Sequence, residues 1–452
     1  MLDHLDEELD ILGQTPSLKI YTQICHCYHV NDPSSHSSIV TTLTTGLERL
    51  STSFPWLAGQ VVNEGASESS TGIFKIKPLD KAPRLVVKDL VNDPSAPTMD
   101  DLQTSGFPFR LLDESVIAPI KTIPASSDEP AWPVFVVQAS FIPGGLILVF
   151  LAHHCTMDGT GQGQVISLFS KACHGTPFSL EEVTSGNLAR RNLIPFLDDP
   201  YEPGPELSLQ IFKPSSAPSL ESTPPAPPRC TWAYFTFPST SLSALKALAT
   251  ETITSGFVST DDALSAFIWQ SVTRIRLQRL GHVEQVRFAR AVEVRRYFNV
   301  PHTYPGMIQN MAFSAYPLKQ LVADPLGAVA SLLRSVVDPK TSNLAFNTRS
   351  LATFFSRTPD RSIISLTAGL DFTQDIMLSS WAKLDSYELD FNLGLGKPEA
   401  VRRPQFTPVE SLMYLLPRTL DGEITLAICL REDDMERLKS DAAFTKYARC
   451  IV

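Results

Sequence analysis

Apolar residues in the second quarter of the chain form two runs of strand length. One run covers residues 134–141 and the other covers residues 146–152, and a Pro-Gly-Gly turn at residues 143–145 separates them. Two such runs around a glycine-containing turn predict a buried antiparallel hairpin. Apolar residues between 165 and 169 then follow at helical spacing. This spacing predicts that the second strand leads into a helix.

Similar patterns occur in both halves of the chain. Runs of helical or strand-like periodicity predict helices at residues 41–50, 242–248, 262–276 and 433–441, and strands at 56–62, 412–416 and 424–430. A turn sequence at residues 421–423 predicts that the last two strands form a hairpin. Strands and covering helices in each half predict an α/β (α+β) fold with mixed sheets.

A proline-rich stretch divides the chain near its middle. It covers residues 196–230, and four of the five residues 224–228 near its end are proline. Proline at this density is typical of an extended crossover linker, and a surface loop is the alternative. The predicted domains are therefore residues 1–195 and 231–452, joined by this linker.

Composition and charge narrow the range of functions. The formal net charge is −10, which argues against a nucleic-acid-binding protein because such proteins bind phosphates mainly through Lys and Arg. No apolar run approaches the roughly 18 residues of a membrane-spanning helix, and the acidic residues 1–8 do not resemble a signal peptide. The seven cysteines are scattered and odd in number, so a reduced, cytoplasmic protein without membrane attachment is expected.

Two neighbouring histidines directly follow the second strand of the predicted hairpin. His153 and His154 precede Asp158 and Gly159, which places His154 in the turn between strand and helix and Asp158 at the helix start. Histidine has an ordinary pKa of about 6.5, so it can take up a proton at neutral pH. The pattern predicts that His154 is a general base. A structural histidine beside a helix-capping aspartate is the alternative.

Two motifs carry a resemblance to known enzymes. His-His-x-x-x-Asp-Gly at residues 153–159 is similar to the signature of the CoA-dependent acyltransferase superfamily. Asp-Phe-Asn-Leu-Gly-Leu-Gly-Lys-Pro at 390–398, after Ser-Ser-Trp at 379–381, resembles the Asp-Phe-Gly-Trp-Gly segment of BAHD-type acyltransferases. Asn392 and Leu393 depart from the plant form, and the longer segment is similar to the fungal trichothecene-acetyltransferase-like branch.

The resemblance implies two pseudo-symmetric, chloramphenicol-acetyltransferase-like domains with a channel between them. An acyl-CoA, with acetyl-CoA as the default, and a small hydroxylated natural product would enter from opposite mouths. His154 would support direct transfer to a hydroxyl group or an amine. Asp158 would turn away from the substrates and pair with an arginine, for which Arg295 is the candidate, and Gly159 would complete this part of the site. A monomer with no permanently bound cofactor or metal is expected.

Candidate contacts for CoA come from a basic stretch and from the second motif. Seven arginines and only two glutamates lie between residues 274 and 296, and the phosphates of CoA need positive charge or helix N-termini. A solvated helix face followed by an ordinary strand is the alternative for this stretch. The residues expected to bind CoA are Lys246, Arg290, Ser379, Ser380, Trp381, Asp390, Phe391 and Gly394.

Other hypotheses remain open at this point. A condensation-type enzyme that uses a carrier-protein thioester fits the first motif equally well, and a binding module that keeps the fold without activity is a third possibility. A metal site at Cys25, His26 and Cys27 is disfavoured, because the two cysteines share one face of an apparent strand and His26 points to the other. A nucleophilic Cys155 is disfavoured because Cys–His pairs are normally assembled across a fold.

Overall fold

Fifteen strands form three sheets in a computed structural model that describes residues 5–79, 84–124, 131–212, 228–253 and 256–451. The strands are β1 (Glu7–Glu8), β2 (Tyr21–His29), β3 (Gly59–Glu64), β4 (Ile73–Pro78), β5 (Leu85–Asp89), β6 (Phe135–Ile142), β7 (Gly145–His153), β8 (Cys230–Phe237), β9 (Gln285–Glu293), β10 (Gln309–Pro317), β11 (Ile376–Ser380), β12 (Ala400–Arg402), β13 (Leu412–Leu415), β14 (Ile424–Arg431) and β15 (Arg449–Ile451).

Twelve α-helices cover these sheets within the described part of the chain. They are α1 (His36–Ser53), α2 (Met99–Thr104), α3 (Glu114–Ile117), α4 (Gly159–Cys173), α5 (Leu180–Gly186), α6 (Ser239–Thr250), α7 (Thr260–Leu280), α8 (Leu318–Ala323), α9 (Leu326–Ser335), α10 (Leu344–Arg357), α11 (Glu432–Ser440) and α12 (Ala442–Thr445). No helix among the described residues is long and apolar enough to cross a membrane.

The first sheet has the strand order β12-β2-β7-β6-β5, so the predicted hairpin lies at its centre. β6 and β7 pair antiparallel, and every residue of both strands is buried. Gly144 has a φ of +73°, a left-handed conformation that the tight turn requires and that glycine adopts without strain. The hairpin prediction is confirmed, and β7 delivers the two histidines at its C-terminal end.

The predicted strand at residues 56–62 begins too early. Residues Pro55–Ala58 form a single 3₁₀ turn, and the strand β3 starts only at Gly59. Pro55 fixes φ at the start of this turn, and the Trp56 indole Nε1 donates a hydrogen bond to the Gly186 carbonyl at 2.9 Å. The periodicity of apolar residues along the chain cannot reveal this long-range hydrogen bond of Trp56.

The second sheet has the order β10-β9-β11-β13-β14-β8-β15 and contains both parallel and antiparallel pairs. The predicted hairpin near the C-terminus is confirmed, since β13 and β14 pair antiparallel. The third sheet, of order β1-β4-β3, is small and lies in the first half of the chain.

One strand crosses between the two halves. β12 lies in the second half of the sequence but pairs antiparallel with β2, with Val401 opposite His26. The two halves are therefore not separate in their hydrogen bonding. The described start of the predicted linker packs on α10, where Arg349 and Arg357 donate to backbone carbonyls of residues 195–201. Residues 213–227 of that linker lie outside the described residues.

The largest hydrophobic core also joins the two halves. Phe150 of β7 and Phe169 of α4 pack against Phe391, with ring centroids 5.3 Å and 5.5 Å apart. Phe391 is fully buried. The expectation that Phe391 contacts CoA is therefore corrected, because its ring faces the core between the halves and offers no surface to a ligand.

Replacing Phe391 with Ala should lower the free energy of unfolding by about 3–5 kcal/mol, the usual cost of truncating a buried Phe. Urea denaturation measures this change. Phe346→Ala is the matched control, because that phenylalanine is 48% exposed on α10 and its loss should have little effect. Unchanged stability of Phe391→Ala, together with a higher KM for acetyl-CoA, would restore the ligand-contact interpretation.

Candidate active site

A tight turn connects the end of β7 to the start of α4 and carries His154. The backbone N–H of His154 donates to the Ile20 carbonyl at 2.9 Å, which ties the turn to the residue before β2. The N–H and the hydroxyl of Thr156 both donate to the His153 carbonyl, at 2.9 Å and 2.7 Å. His154 is only partly buried, whereas Thr156 and the residues beside it are buried.

The hydrogen bond of His154 decides which ring nitrogen is free. Its Nδ1 lies 3.1 Å from the Met157 carbonyl oxygen. A carbonyl can only accept, so Nδ1 carries the proton and Nε2 is left with a lone pair. Burial lowers the pKa of His154, and this effect outweighs the Met157 carbonyl and Asp158, which raise the pKa. The imidazole is therefore neutral at pH 7 and can accept a proton at Nε2.

His153 has the opposite environment. It is fully buried, and its ring packs edge-on against Tyr21 and Trp132, with centroid distances of 5.3 Å and 5.7 Å. Burial lowers the pKa of His153 to about 3. Because successive side chains of a strand point to opposite faces, the two histidines separate into a core position and a partly exposed position.

Asp158 is buried, and its carboxylate accepts three hydrogen bonds and forms an ion pair with Arg295. It caps α4 by accepting from the Gly161 N–H at 2.8 Å, and it accepts from the Ile308 N–H at 3.0 Å. Arg295 approaches as a fork, with 2.9 Å and 3.1 Å between its two terminal nitrogens and the two carboxylate oxygens. The expected ion pair of Asp158 and Arg295 is present. Both carboxylate oxygens of Asp158 are thus engaged by the protein.

Arg295 and Asp10 together hold a loop from the second half. Arg295 Nε and Nη2 donate to the carbonyls of Tyr304 and Gly306 at 2.8 Å and 2.7 Å. Asp10 accepts from the Tyr304 hydroxyl at 2.5 Å and from the Met307 N–H at 3.0 Å of the same loop. Sequence analysis missed Asp10, because it is one of several acidic residues near the N-terminus and no local pattern sets it apart.

Glycines at the start of α4 allow two close approaches. A Cβ at Gly161 would overlap with the carbonyl oxygen of Pro305, which belongs to the same loop. A Cβ at Gly159 would lie 3.2 Å from the indole nitrogen of Trp381. Gly159 therefore lets Trp381 rest on the helix start beside the histidine turn.

The structure brings the Ser-Ser-Trp motif to the site. Trp381 Nε1 donates to Ser379 Oγ at 3.1 Å, and the ring of Trp381 is buried. Ser380 Oγ donates to Asp261 Oδ2 at 2.7 Å, at the beginning of α7. Trp381 and Ser379 thus lie next to the helix that Asp158 caps, while the hydroxyl of Ser380 is hydrogen-bonded to α7.

The basic stretch is not a free cationic surface, which corrects the expectation for Arg290. The side chain of Arg290 is 9% exposed and forms an ion pair with Asp262 at 3.0 Å. Four other arginines of the stretch have similar partners from distant segments. Those pairs are Arg274–Asp441, Arg276–Asp434, Arg279–Asp434 and Arg287–Asp375. Acidic residues from other segments pair with these arginines, and Arg290 itself exposes little of its side chain to a phosphate.

The remaining predicted CoA contacts lie at the surface. Lys246 is exposed on α6. The backbone carbonyl of Asp390 accepts from Ser170 Oγ at 2.5 Å and from His174 Nε2 at 2.9 Å, which fixes the second motif to α4. Gly394 is exposed in the following loop, where its φ of +75° requires glycine.

The cysteines have structural positions. Cys155 is fully buried, its Sγ lies 3.7 Å from the Thr15 carbonyl oxygen, and burial raises the pKa of its thiol. The argument against a metal site placed Cys25 and Cys27 on one face of β2 and His26 on the other. The His26 ring packs on Phe150 at a centroid distance of 5.0 Å. Within the described ranges no group of three or more His, Cys, Asp or Glu residues is arranged to hold a metal ion.

Comparison with known proteins gives consistent matches along the chain. The profile of the trichothecene 3-O-acetyltransferase-like N-terminal domain matches residues 20–173, and that of the transferase family matches residues 110–445. The O-acetyltransferase dmxR13 of Cryptosporiopsis sp. is 57% identical, over 98% of this chain and 97% of the relative.

Solved structures agree. TRI101 of F. sporotrichioides, crystallised with coenzyme A and T-2, has a TM-score of 0.92 and 49% identity, covering 99% of this chain and 100% of that chain. TRI101 of F. graminearum, with coenzyme A and deoxynivalenol, has a TM-score of 0.93 and 46% identity at the same coverage. The condensation domain of the CDA synthetase has a TM-score of 0.51 and 12% identity, a likeness of fold alone.

Replacing His154 with Ala should lower kcat by about 10²–10⁴-fold, the usual contribution of a positioned general base. His153→Leu is the control and should keep turnover within a few-fold, because the buried His153 ring has no hydrogen-bond partner among the described residues. The base is inactive once His154 is protonated, and the pKa of His154 lies below the ordinary value. The kcat/KM of the unmodified enzyme should therefore fall only below about pH 6.5. Equal losses in both variants would refute this assignment.

Replacing Asp158 with Ala should destabilise the fold by about 3–5 kcal/mol, because Arg295 would be buried without its partner. Asp158→Asn should lose less stability, since its amide oxygen can still accept a hydrogen bond. Urea denaturation and kcat measure the two effects. Asp32→Ala removes an exposed capping aspartate and serves as the control. Normal stability and turnover of Asp158→Ala would show that the ion pair does not support the site.

Proposed function

The chain belongs to the transferase family and is an acyl-CoA-dependent O-acyltransferase, and on that premise we propose that it acetylates a hydroxyl group of a polycyclic natural product with His154 as the base. The observation that carries the assignment of the base is the hydrogen bond from His154 Nδ1 to the Met157 carbonyl, which leaves Nε2 unprotonated. Burial keeps the ring neutral. A neutral imidazole whose free nitrogen is accessible is the group that general-base catalysis requires.

The proposed reaction is a direct transfer within a ternary complex. Nε2 of His154 takes the proton of the acceptor hydroxyl while the oxygen attacks the thioester carbonyl carbon. The C–S bond then breaks, the acyl group stays on the acceptor as an ester, and the CoA thiolate takes the proton back from His154. No covalent acyl-enzyme is needed, which agrees with the inaccessible, protonated thiol of Cys155.

In this proposal Asp158 and Arg295 position the base without touching substrate. Asp158 caps α4, and Arg295 binds the loop that carries Tyr304 and Gly306. Together they fix the turn whose Met157 carbonyl selects the tautomer of His154. A base held in one tautomer and one orientation avoids the entropic cost of finding the reactive geometry.

For the donor we propose a path beside Trp381 and Ser379, since both lie next to Gly159 at the start of α4. Lys246, Asp390 and Gly394 stay candidate contacts for the outer part of CoA. The channel between the halves, with a mouth for each substrate, is part of the same proposal. The alternative of a carrier-protein thioester loses support, because the full-length relatives at 46–57% identity are acetyltransferases, two of them crystallised with coenzyme A.

The acceptor is proposed from the relatives. Two of the solved structures hold T-2 or deoxynivalenol together with coenzyme A, and another relative, from Saccharomyces cerevisiae at 48% identity, is a trichothecene 3-O-acetyltransferase. We therefore propose a trichothecene-like polycyclic alcohol as the acceptor class. We also propose that the chain acts as a monomer in the cytoplasm, with domains 1–195 and 231–452. All seven cysteines are free thiols, which suits a reducing compartment.

Purified protein incubated with acetyl-CoA and deoxynivalenol should release free CoA thiol and form a mono-acetylated product, measured by a thiol reagent and by mass spectrometry. His154→Ala should reduce both signals together. A hydroxylated aromatic polycycle serves as the comparison acceptor, and acetylation of that compound alone would overturn the acceptor class. Turnover only with a carrier-protein thioester would overturn the use of acetyl-CoA.

A further inference from the structure

Arg403 follows β12 and is a buried cation that forms no ion pair with the described residues. Its side chain is among the largest fully buried side chains, with 1% of the residue exposed. No carboxylate of the described residues lies within ion-pair distance of its guanidinium. Nη1 makes a long hydrogen bond of 3.4 Å to the Gln23 carbonyl, and Nε has no hydrogen-bond partner among those residues. An unpaired charge is costly to bury, so its presence calls for an explanation.

Three aromatic rings hold the guanidinium in place. Its central carbon lies 4.3 Å from the ring centroid of Phe406, 4.7 Å from that of Tyr414 and 5.6 Å from that of Trp381. The faces of aromatic rings attract a cation without neutralising it. These three rings, the aromatic clamp, therefore fix the position of Arg403 without cancelling its positive charge.

The clamp lies between the two motifs of the site. Trp381 rests on Gly159 at the start of α4, and Gln23 lies on β2, which pairs with the histidine-bearing β7. The buried carboxylate of Glu114 accepts from Gln23 Nε2 at 3.1 Å and from the Thr122 N–H at 2.7 Å. Burial raises the pKa of Glu114, and the charge of Arg403 acts against this shift from beyond ion-pair distance. Gln23 Oε1 and Thr122 Oγ1 also have no hydrogen-bond partner in the described part of the chain.

Positive electrostatic potential near His154 assists acyl transfer. Negative charge develops on the thioester oxygen during attack and on the CoA sulfur as the C–S bond breaks. A fixed, dehydrated cation stabilises such charge more strongly than a mobile one in water. We propose that Arg403 is a positioning residue that acts through its un-neutralised charge, which stabilises the negative charge developing beside His154. This inference rests on the proposed function.

The same charge acts on His154 itself. Four influences reach the imidazole: burial and Arg403 lower its pKa, while the Met157 carbonyl and Asp158 raise it. The adjacent His153 contributes no charge at neutral pH, because its pKa is about 3. The positive charge of Lys19 helps to lower the pKa of His153. Removing Arg403 therefore raises the pKa of His154, and the acid limb of kcat/KM moves to higher pH.

Arg403→Met removes the charge and keeps most of the volume. It should lower kcat for acetylation about 10²-fold, a typical loss for one electrostatic group, with the KM for acetyl-CoA changed less than about threefold. The acid limb of kcat/KM should shift to higher pH. Arg403→Lys keeps a charge and should restore the acid limb and most of kcat. Arg403→Gln, which can still donate to the Gln23 carbonyl, is the second neutral variant if Arg403→Met does not fold.

Arg402→Met is the matched control. Arg402 is the neighbouring buried arginine, but it donates to the carbonyls of Gly106 and Phe107 and does not influence His154. Its loss should lower stability without moving the acid limb. A folded Arg403→Met or Arg403→Gln with an unmoved acid limb would overturn the inference. NMR titration of the His154 ring needs no substrate, so its result separates failure of this inference from failure of the proposed acetyl transfer.

Discussion

The buried ion pair between Asp158 and Arg295 is the constraint on which the rest of the site depends. The two residues are 137 positions apart in sequence and belong to different halves, and their fork closes with distances of 2.9 Å and 3.1 Å. Asp158 also caps α4, so the pair fixes where that helix begins. The start of α4 fixes the Met157 carbonyl, and this carbonyl selects the tautomer of His154. Through these successive contacts, the ion pair between the two halves determines that Nε2 of His154 is the unprotonated nitrogen.

Other contacts between the halves support the same arrangement. Asp10 also binds the loop through the Tyr304 hydroxyl and the Met307 N–H, in addition to the contacts that Arg295 makes with its carbonyls. β12 adds a strand of the second half to the first sheet, and Phe391 fills the core between them. The histidine turn lies where these contacts meet. Loss of any one of them is therefore expected to affect turnover as well as stability, since rigid support keeps a reacting group in position.

Local features of the chain were predictable from sequence, and long-range ones were not. The β6–β7 hairpin and α4 are set by neighbouring residues, and the histidine motif lies within a single turn. The basic stretch was misjudged because its counter-charges come from afar: Asp434 reaches Arg276 over 158 positions. Phe391 was assigned to CoA because a motif does not reveal which way a ring points. The pairing of β12 with β2, and the aromatic clamp around Arg403, likewise depend on segments brought together only by the complete fold.

The central claim is that His154 is neutral at pH 7, with its proton on Nδ1 and its lone pair on Nε2. Long-range ¹⁵N–¹H NMR of the histidine-labelled protein measures this directly, with His154→Ala used to assign the signals. The structure predicts a protonated Nδ1 and an unprotonated Nε2 for His154 at neutral pH. A proton on Nε2, or an imidazolium ring at pH 7, would contradict the account.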